Sequence, residues 1–379
     1  MPRIRTEHER TKFQHKILKQ LEPFPNIPIT IGLDVHKNSI HAAIYRDGKA
    51  LTDWRTSANY DDLAKQILPF LPFTKVVAYE AGPTGFLLAR ILQKHKFNVV
   101  VCAPAHTPRA AARQNKSDRL DAIKLAHLSA CGMLTAVTIP TEQEEQNRLV
   151  LRHRNALSDK LRRVKQQIKA EFLFFGTGEI ASWSRKEVKR LAELPCPENQ
   201  RFVLDSLLCE NEMLDAEIKA TDARIERIMT EHHADAKAIL ESHPGVGPVT
   251  SSSFVLELFR PGRFRNGRAV ASFLGLAPGK DQTGESDKPQ PLMKRGQARL
   301  RSHLIEAAWR WIRYDPAARS VYGRITAKTG NAKKAIAAMA RRLAVRLWTM
   351  WARGEMYNPE KATQYANRQR VARKVKRAS

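Results

Sequence analysis

The sequence predicts an α/β chain in three main parts: a mixed-sheet N-terminal domain, a long helical coiled-coil insertion and a mostly α-helical C-terminal domain. Three observations carry this reading. Residues 28–141 hold three apolar strands followed by alternating helix and strand. Residues 142–235 hold long charged helices with two apolar seams and no strand signal, and residues 236–354 return to a basic, mostly helical stretch. Residues 1–27 read as a polar basic arm and 355–379 as a basic tail, with seven Lys or Arg and no acid from Lys361 to Ser379.

The segment IPITIGLDVHKNSIHAAIYRDGKALTDWRTS reads as three strands joined by short turns at His36 to Asn38 and at Asp47-Gly48, the latter a hairpin signal between alternating apolar runs. An amphipathic helix from Tyr60 to Leu71, the strand TKVVAYEAG, a helix from Pro83 to Lys94 and the buried strand FNVVVCAP follow, and a helix carrying KSDRLDAIKLAHLSA closes the domain. This order predicts an antiparallel meander with parallel strands added to it and helices on the faces. Within 142–235, Leu207, Asn211, Leu214, Ile218, Thr221, Ile225 and Ile228 alternate spacings of four and three, the a/d pattern of a coiled coil. A shorter seam, Val150, Leu157, Leu161, Val164 and Ile168, has Arg154 at one position. The two form either an antiparallel hairpin within one chain or an intermolecular coiled coil, and either would serve as an arm or a dimer contact.

Charge narrows the partners. With 65 Lys plus Arg against 38 Asp plus Glu, the formal net charge is +27 over 379 residues, which predicts a polyanionic partner bound through counterion release. No stretch approaches the roughly 18 to 20 apolar residues of a spanning helix, which argues against a membrane partner. The N-terminal MPRIRTEHERTKFQHK lacks the apolar core of a signal peptide, and Cys102, Cys131, Cys196 and Cys209 form no C-x-x-C pair. A reduced, cytoplasmic protein is expected.

Chemistry is predicted from acids at element ends. Asp34 ends the first strand, Glu80 ends the fourth, and Asp118 and Asp121 lie three apart on one helix face. Four carboxylates gathered in one cleft would repel unless cations held them, and hard oxygen donors in this number suit Mg²⁺ or Mn²⁺ in phosphodiester transfer. In the C-terminal domain, Gly245-Val246-Gly247 between two helices reads as a helix-hairpin-helix turn whose N–H groups approach phosphate, or as a plain packing turn. Lys294, Arg295, Arg299 and Arg301 are natural phosphate contacts.

These residues resemble the DEDD insertion-sequence transposases, the group typified by IS110 and IS1111, whose N-terminal domain is similar to the RuvC Holliday junction resolvase. The resemblance runs over nearly the whole chain. IGLDVHKNSIHAAI with Asp34, VVAYEAGPTGFLLARIL with Glu80, and APAHTPRAAARQNKSDRLDAIKLAHL with Asp118 and Asp121 match its three N-terminal motifs. HPGVGPVTSSSFVLEL, FRNGRAVASFLGLAPG and MKRGQARLRSHLIEAAWRW match its second domain. The resemblance implies a ribonuclease H-like (RuvC-like) fold, divalent-metal dependence and DNA strand exchange. It also implies a serine hydroxyl in the second domain that attacks DNA, at a position preceding a glycine after G-L-x-P. Here GLAPGKDQTGESDKP places Thr283 at that position, with Ser286 the alternative if the register differs, and an impaired copy the third possibility. The resemblance further implies a noncoding guide RNA from the same element, with dimers or tetramers in which the acidic cluster of one chain meets the hydroxyl loop of another.

The leading expectation is therefore a metal-dependent DNA recombinase that mobilises an insertion sequence, with Asp34, Glu80, Asp118 and Asp121 as metal ligands and Thr283 or Ser286 as nucleophile. The alternative is a RuvC-like structure-selective endonuclease using metal-activated water. A non-catalytic nucleic-acid binder is the third class.

Overall fold

The computed structural model describes residues 6–104, 107, 117–176, 180, 182–283, 286–292 and 296–360, with 280–283 and 286–291 described by their backbone. The chain divides into two compact units, Met1–Pro140 and Thr141–Ser379.

In the first unit the segment expected as a polar arm contains a helix, α1 (Glu7–Leu21). Thr6 and Glu9 cap its start reciprocally, and Phe13, Ile17 and Leu21, four apart, bury one face. Phe13 meets Trp54 at 4.9 Å between ring centroids, so this face is part of the core. Then come β1 (Ile29–Val35), β2 (Ser39–Arg46), β3 (Lys49–Ser57), α2 (Tyr60–Ile67), a 3-10 turn (Leu68–Phe73) and β4 (Thr74–Glu80). The unit continues with α3 (Leu87–Lys94), β5 (Val99–Cys102) and α4 (Asp118–Ala130). The strands form one sheet in the order β3-β2-β1-β4-β5. β1 to β3 pair antiparallel, whereas β4 and β5 add in parallel. This is the meander with parallel additions that the order of elements predicts, and it is consistent with a ribonuclease H-like domain.

β1 lies in the middle of the sheet and is buried on both faces. Ile29, Ile31 and Leu33 enter the apolar core with Trp54, Leu63, Phe70 and Val77, while Thr30, Gly32 and Asp34 point the other way by the two-residue period of a strand. α4 covers that second face.

The second unit begins with α5 (Glu142–Phe175), capped reciprocally by Thr141 and Glu144, and continues through α6 (Arg185–Glu193) to α7 (Glu198–His232). α5 and α7 pack as an antiparallel hairpin: Arg154 forms a two-pronged pair with Asp222, at 2.8 and 3.3 Å, near one end. Leu157, Val164, Ile168 and Phe172 interlock with Leu204, Leu208 and Leu214 further along. Asn211 and Thr221 are buried at seam positions, as expected, while Leu207 and Ile218 are only partly buried.

At its base the hairpin joins a second core, to which Leu151, Ile225, Ile228 and Met229 contribute. This core is built by α8 (Ala234–Glu241), α9 (Pro248–Leu258), α10 (Gly267–Phe273), α11 (Ala298–Tyr314), α12 (Pro316–Thr329) and α13 (Ala332–Arg353), and the two-stranded β6 (Pro278–Thr283) and β7 (Ser286–Leu292) lie between α10 and α11 in the chain. A buried polar knot ties its ends together. Tyr357, beyond α13, donates to Asp315 at 2.5 Å, Trp311 donates to the same carboxylate oxygen at 2.8 Å, and His243 packs edge-on against both rings. Among the described residues no helix is long and apolar enough to cross a membrane.

Candidate active site

A strand and a helix with matching repeats build the site. Along β1, Thr30, Gly32 and Asp34 advance two residues at a time, about 6.7 Å per step. Along α4, Ala126, Ala122 and Asp118 step back four at a time, about 6 Å per step. The two rows therefore stay in register. Thr30 Oγ1 donates to the Ala126 carbonyl at 2.8 Å, at the buried end. At Gly32 a Cβ would lie 2.1 Å from the Ala122 carbonyl oxygen and 2.4 Å from the Ala126 nitrogen, so only glycine admits the helix this close. The second step brings Asp34 and Asp118 together.

The carboxylates meet around His36, whose Nε2 lies 3.0 Å from Asp34 Oδ2 and 3.5 Å from Asp118 Oδ1. Ligand atoms of Asp34, His36 and Asp118 all lie within 4.8 Å of one another. Asp34 is the buried member, with 20% of its side chain exposed against 52% for Asp118. Burial pushes the Asp34 carboxyl above its ordinary pKa, and the charges of Asp118 and Asp121 push the same way, outweighing the charge and hydrogen bond of His36.

Neighbouring groups fix the helix over the strand. Ser117 caps α4 through the Leu120 amide, and Arg119 donates to Asp53 at 2.9 Å. Asp53 also meets His41 at 3.2 Å, and His41 is the β2 residue paired with Asp34. A chain from β2 through β3 to α4 therefore braces the first turn of the helix.

Two of the predicted acids stand outside the close triplet. Asp121 lies one turn along α4 and acts on Asp34 through its charge. Glu80 ends β4, where Leu33 pairs with Tyr79, so Asp34 and Glu80 are the next residues on adjacent parallel strands, whose spacing is about 4.8 Å. His36 lies in the turn between β1 and β2, where the sequence placed it, but was not singled out as a site residue; its spacing of two from Asp34 was the available signal.

In the second unit, Thr283 and Ser286 are directly paired across β6 and β7, with only Gly284-Glu285 between them in sequence. The segment expected as a loop is thus a strand pair, with both hydroxyl residues at one end of it. Gly245 is buried by packing: a Cβ there would lie 2.5 Å from the Ala307 carbonyl oxygen of α11. Gly247 precedes α9 and is more open, with Arg310 Nη1 3.8 Å from a Cβ position. Arg299 is drawn to the hairpin, at 2.5 Å from Asp159 and 3.2 Å from the Asn155 carbonyl, and Arg301 donates to the Leu274 carbonyl at 3.4 Å. Lys294, Arg295 and the basic tail from residue 361 lie outside the described residues.

The donor set at Asp34 fits a hard divalent cation. Two carboxylates held this close repel, and the imidazole within reach of both is the group that bridges them; a cation would relieve the same repulsion more fully.

Comparison with known proteins agrees with this chemistry. Residues 31–174 match a family described as Transposase, and residues 237–323 match the family described as Transposase IS116/IS110/IS902. The chain is 32% identical over 310 residues to a putative transposase, y4rJ, of Sinorhizobium fredii, covering 73% of this chain and 76% of that one. A second putative transposase of that organism, y4qE, is 33% identical over 246 residues, covering 63% of this chain and 58% of its own length. The transposase for insertion sequence element IS1533 of Leptospira borgpetersenii is 27% identical over 343 residues, covering 84% of this chain and 94% of that one. The family implies DNA as substrate and the use of a divalent metal. From the matched families and the y4rJ alignment together, the chain belongs to the IS116/IS110/IS902 family of transposases.

Proposed function

We propose that this transposase catalyses metal-dependent DNA strand exchange for the mobility of an insertion sequence, guided by a noncoding RNA of the same element. The observation that carries the reading is the convergence of Asp34 and Asp118 with His36 where β1 and α4 meet. In this proposal Asp34, Glu80, Asp118 and Asp121 hold Mg²⁺ or Mn²⁺, and His36 orients the Asp34 and Asp118 carboxylates. The bound ions would supply charge stabilisation to the attacking and leaving oxygens of an in-line displacement. Asp34, less exposed than Asp118, is the member of the pair whose charge most needs a cation.

Thr283 or Ser286 supplies the hydroxyl that attacks the DNA phosphodiester. Their direct pairing supports treating them as alternatives at one place in the chain rather than as distant candidates. Gly247, Lys294, Arg295, Arg299 and Arg301 contribute phosphate contacts, and Gly245 shapes the turn that presents Gly247. The chain works as a dimer or tetramer in association with nucleoid DNA. An apolar hairpin tip supports an assembly role: Phe174 at the end of α5 is 81% exposed and Phe202 at the start of α7 is 76% exposed. Supercoiling of the α5–α7 pair as a coiled coil belongs to the same proposal.

The deciding experiment combines purified protein, its co-purifying RNA, Mg²⁺ and supercoiled DNA carrying the element junction, and analyses the products after denaturation. A covalent protein–DNA adduct that is lost in Thr283→Ala or in Ser286→Ala, together with a discrete RNA, is the expected result. Free 5′-phosphate ends without adduct would establish hydrolysis by a RuvC-like endonuclease instead.

A further inference from the structure

The second unit carries a groove unrelated to the acidic residues. It has a volume of about 320 Å³ and runs along one face of α5, where Leu161, Arg162, Lys165, Gln166 and Lys169 follow the three-and-four spacing of a helical stripe. Trp183, from the segment ahead of α6, closes its side. The Lys165 ammonium lies 5.2 Å from the centre of the Trp183 ring, so a cation and an aromatic face are already adjacent.

Three of the six residues just named are cationic and none is acidic. Of the nearby acids, Asp159 meets the groove's own Arg162 at 3.0 Å and Arg299 at 2.5 Å, and Asp215 meets Lys219 at 2.5 Å, so the proposal draws on Lys165 and Lys169 rather than on Arg162. Lys169 and Gln166 are exposed, while Trp183 and Leu161 are half-buried and rest on the hairpin core. An apolar, aromatic floor with cations along one edge is the surface that an unpaired nucleotide requires. Its base stacks without regard to identity, and its phosphates take the charges. A duplex hides its base faces and cannot use the indole in this way.

We propose that this groove binds an unpaired nucleotide of a single-stranded nucleic acid, with the base against Trp183 and Leu161 and the flanking phosphates against Lys165 and Lys169. RNA and DNA strands share this chemistry. The site does not depend on the guide-RNA reading or on strand exchange, because its test reads binding alone.

Fluorescence anisotropy of the full-length protein with labelled oligo(U), oligo(dT) and a duplex of equal length provides the test. Trp183→Ala is expected to weaken single-strand binding about tenfold while leaving duplex binding unchanged, and Trp183→Phe to retain most of the affinity. Lys169→Ala, at an exposed position that does not support the core, should lower the slope of log affinity against log salt by about 0.7 for single strands. A loss confined to oligo(U) would assign the site to RNA, and one confined to oligo(dT) to displaced DNA. Should Trp183→Ala unfold the hairpin, Trp183→Phe and Lys169→Ala still decide. Unaltered single-strand affinity and salt slope in Lys169→Ala, or equal loss of single-strand and duplex binding in the folded Trp183 variants, overturns the proposal.

Discussion

Asp34 in the first unit and Asp315 in the second are both drawn out of water, and burial is the largest influence on each. Their carboxyls nonetheless move in opposite directions. Asp34 has two further acids for neighbours and one imidazole in contact, and its pKa is raised. Asp315 accepts hydrogen bonds from Tyr357, Trp311 and the amides of Ala317 and Ala318, which outweigh burial and hold its pKa below the ordinary value. A carboxylate surrounded by donors is satisfied and structural. One surrounded by other carboxylates is left with unmet demand for positive charge, which a metal or a protonated histidine can fill.

The contrast is broken most severely at Asp34 itself. Asp34→Asn removes the charge without changing the shape, and strand exchange should fall on the order of a thousandfold, the loss of several kcal/mol of charge stabilisation. The melting temperature should hold or rise, because a repulsive charge is gone. A large drop in melting temperature would mean that Asp34 is structural in the manner of Asp315.

Gly32→Val tests the close approach that delivers Asp118. Its Cβ would overlap the α4 backbone, so the folded state should lose about 3 kcal/mol, read by chemical denaturation, with strand exchange lost as well. Asp315→Ala should cost about 2 kcal/mol by leaving the Tyr357 and Trp311 donors unpaired, with no loss of metal affinity by calorimetry.

The mildest test is pH. Burial, with the Arg346 charge adding to it, lowers the His243 pKa from 6.5 to about 3, although Asp315 opposes this. The unfolded chain therefore binds a proton that the folded chain refuses between pH 6.5 and about 3. Stability from this group is full above pH 6.5 and is lost as the pH falls through that window. His303, lowered to about 4 by burial first and then by Arg299 and Arg154, acts in the same sense. Urea titrations at stepped pH should show a slope approaching 1.4 kcal/mol per pH unit from His243, which His243→Gln removes. An unchanged slope in that variant would place the acid sensitivity elsewhere.

Much of the first unit was legible in the sequence because its signals are local. Apolar runs of strand length, Asp47-Gly48 between β2 and β3, and the order of three strands before the first crossover specify the observed sheet. α1 was also written there, in Thr6 and Glu9 and in the spacing of Phe13, Ile17 and Leu21, but its many charges read as an arm. β6 and β7 were not legible from propensity: PGKDQT and SDKPQPL are rich in Pro, Lys and Asp, residues depleted in strands, and only cross-strand pairing identifies them. At the site, the family motif pointed to the four acids, but not to which of them meet. That depends on Gly32 and on the depth at which α4 rests, a long-range packing fact with no signature in a window of sequence. His36 carried a local signal in its spacing of two from Asp34, but its second partner, Asp118, is 82 residues away in the chain.

The matched steps of β1 and α4 behave like a pair of rulers, and rulers are read by counting. Replacing a side chain along either row changes one mark, whereas adding or deleting one residue between Asp118 and Ala126 would turn the acid about 100° around the helix axis and away from Asp34. Over the history of such an element, this segment should therefore keep its length more strictly than its letters, and frame-preserving insertions should survive in the connection after Ala130.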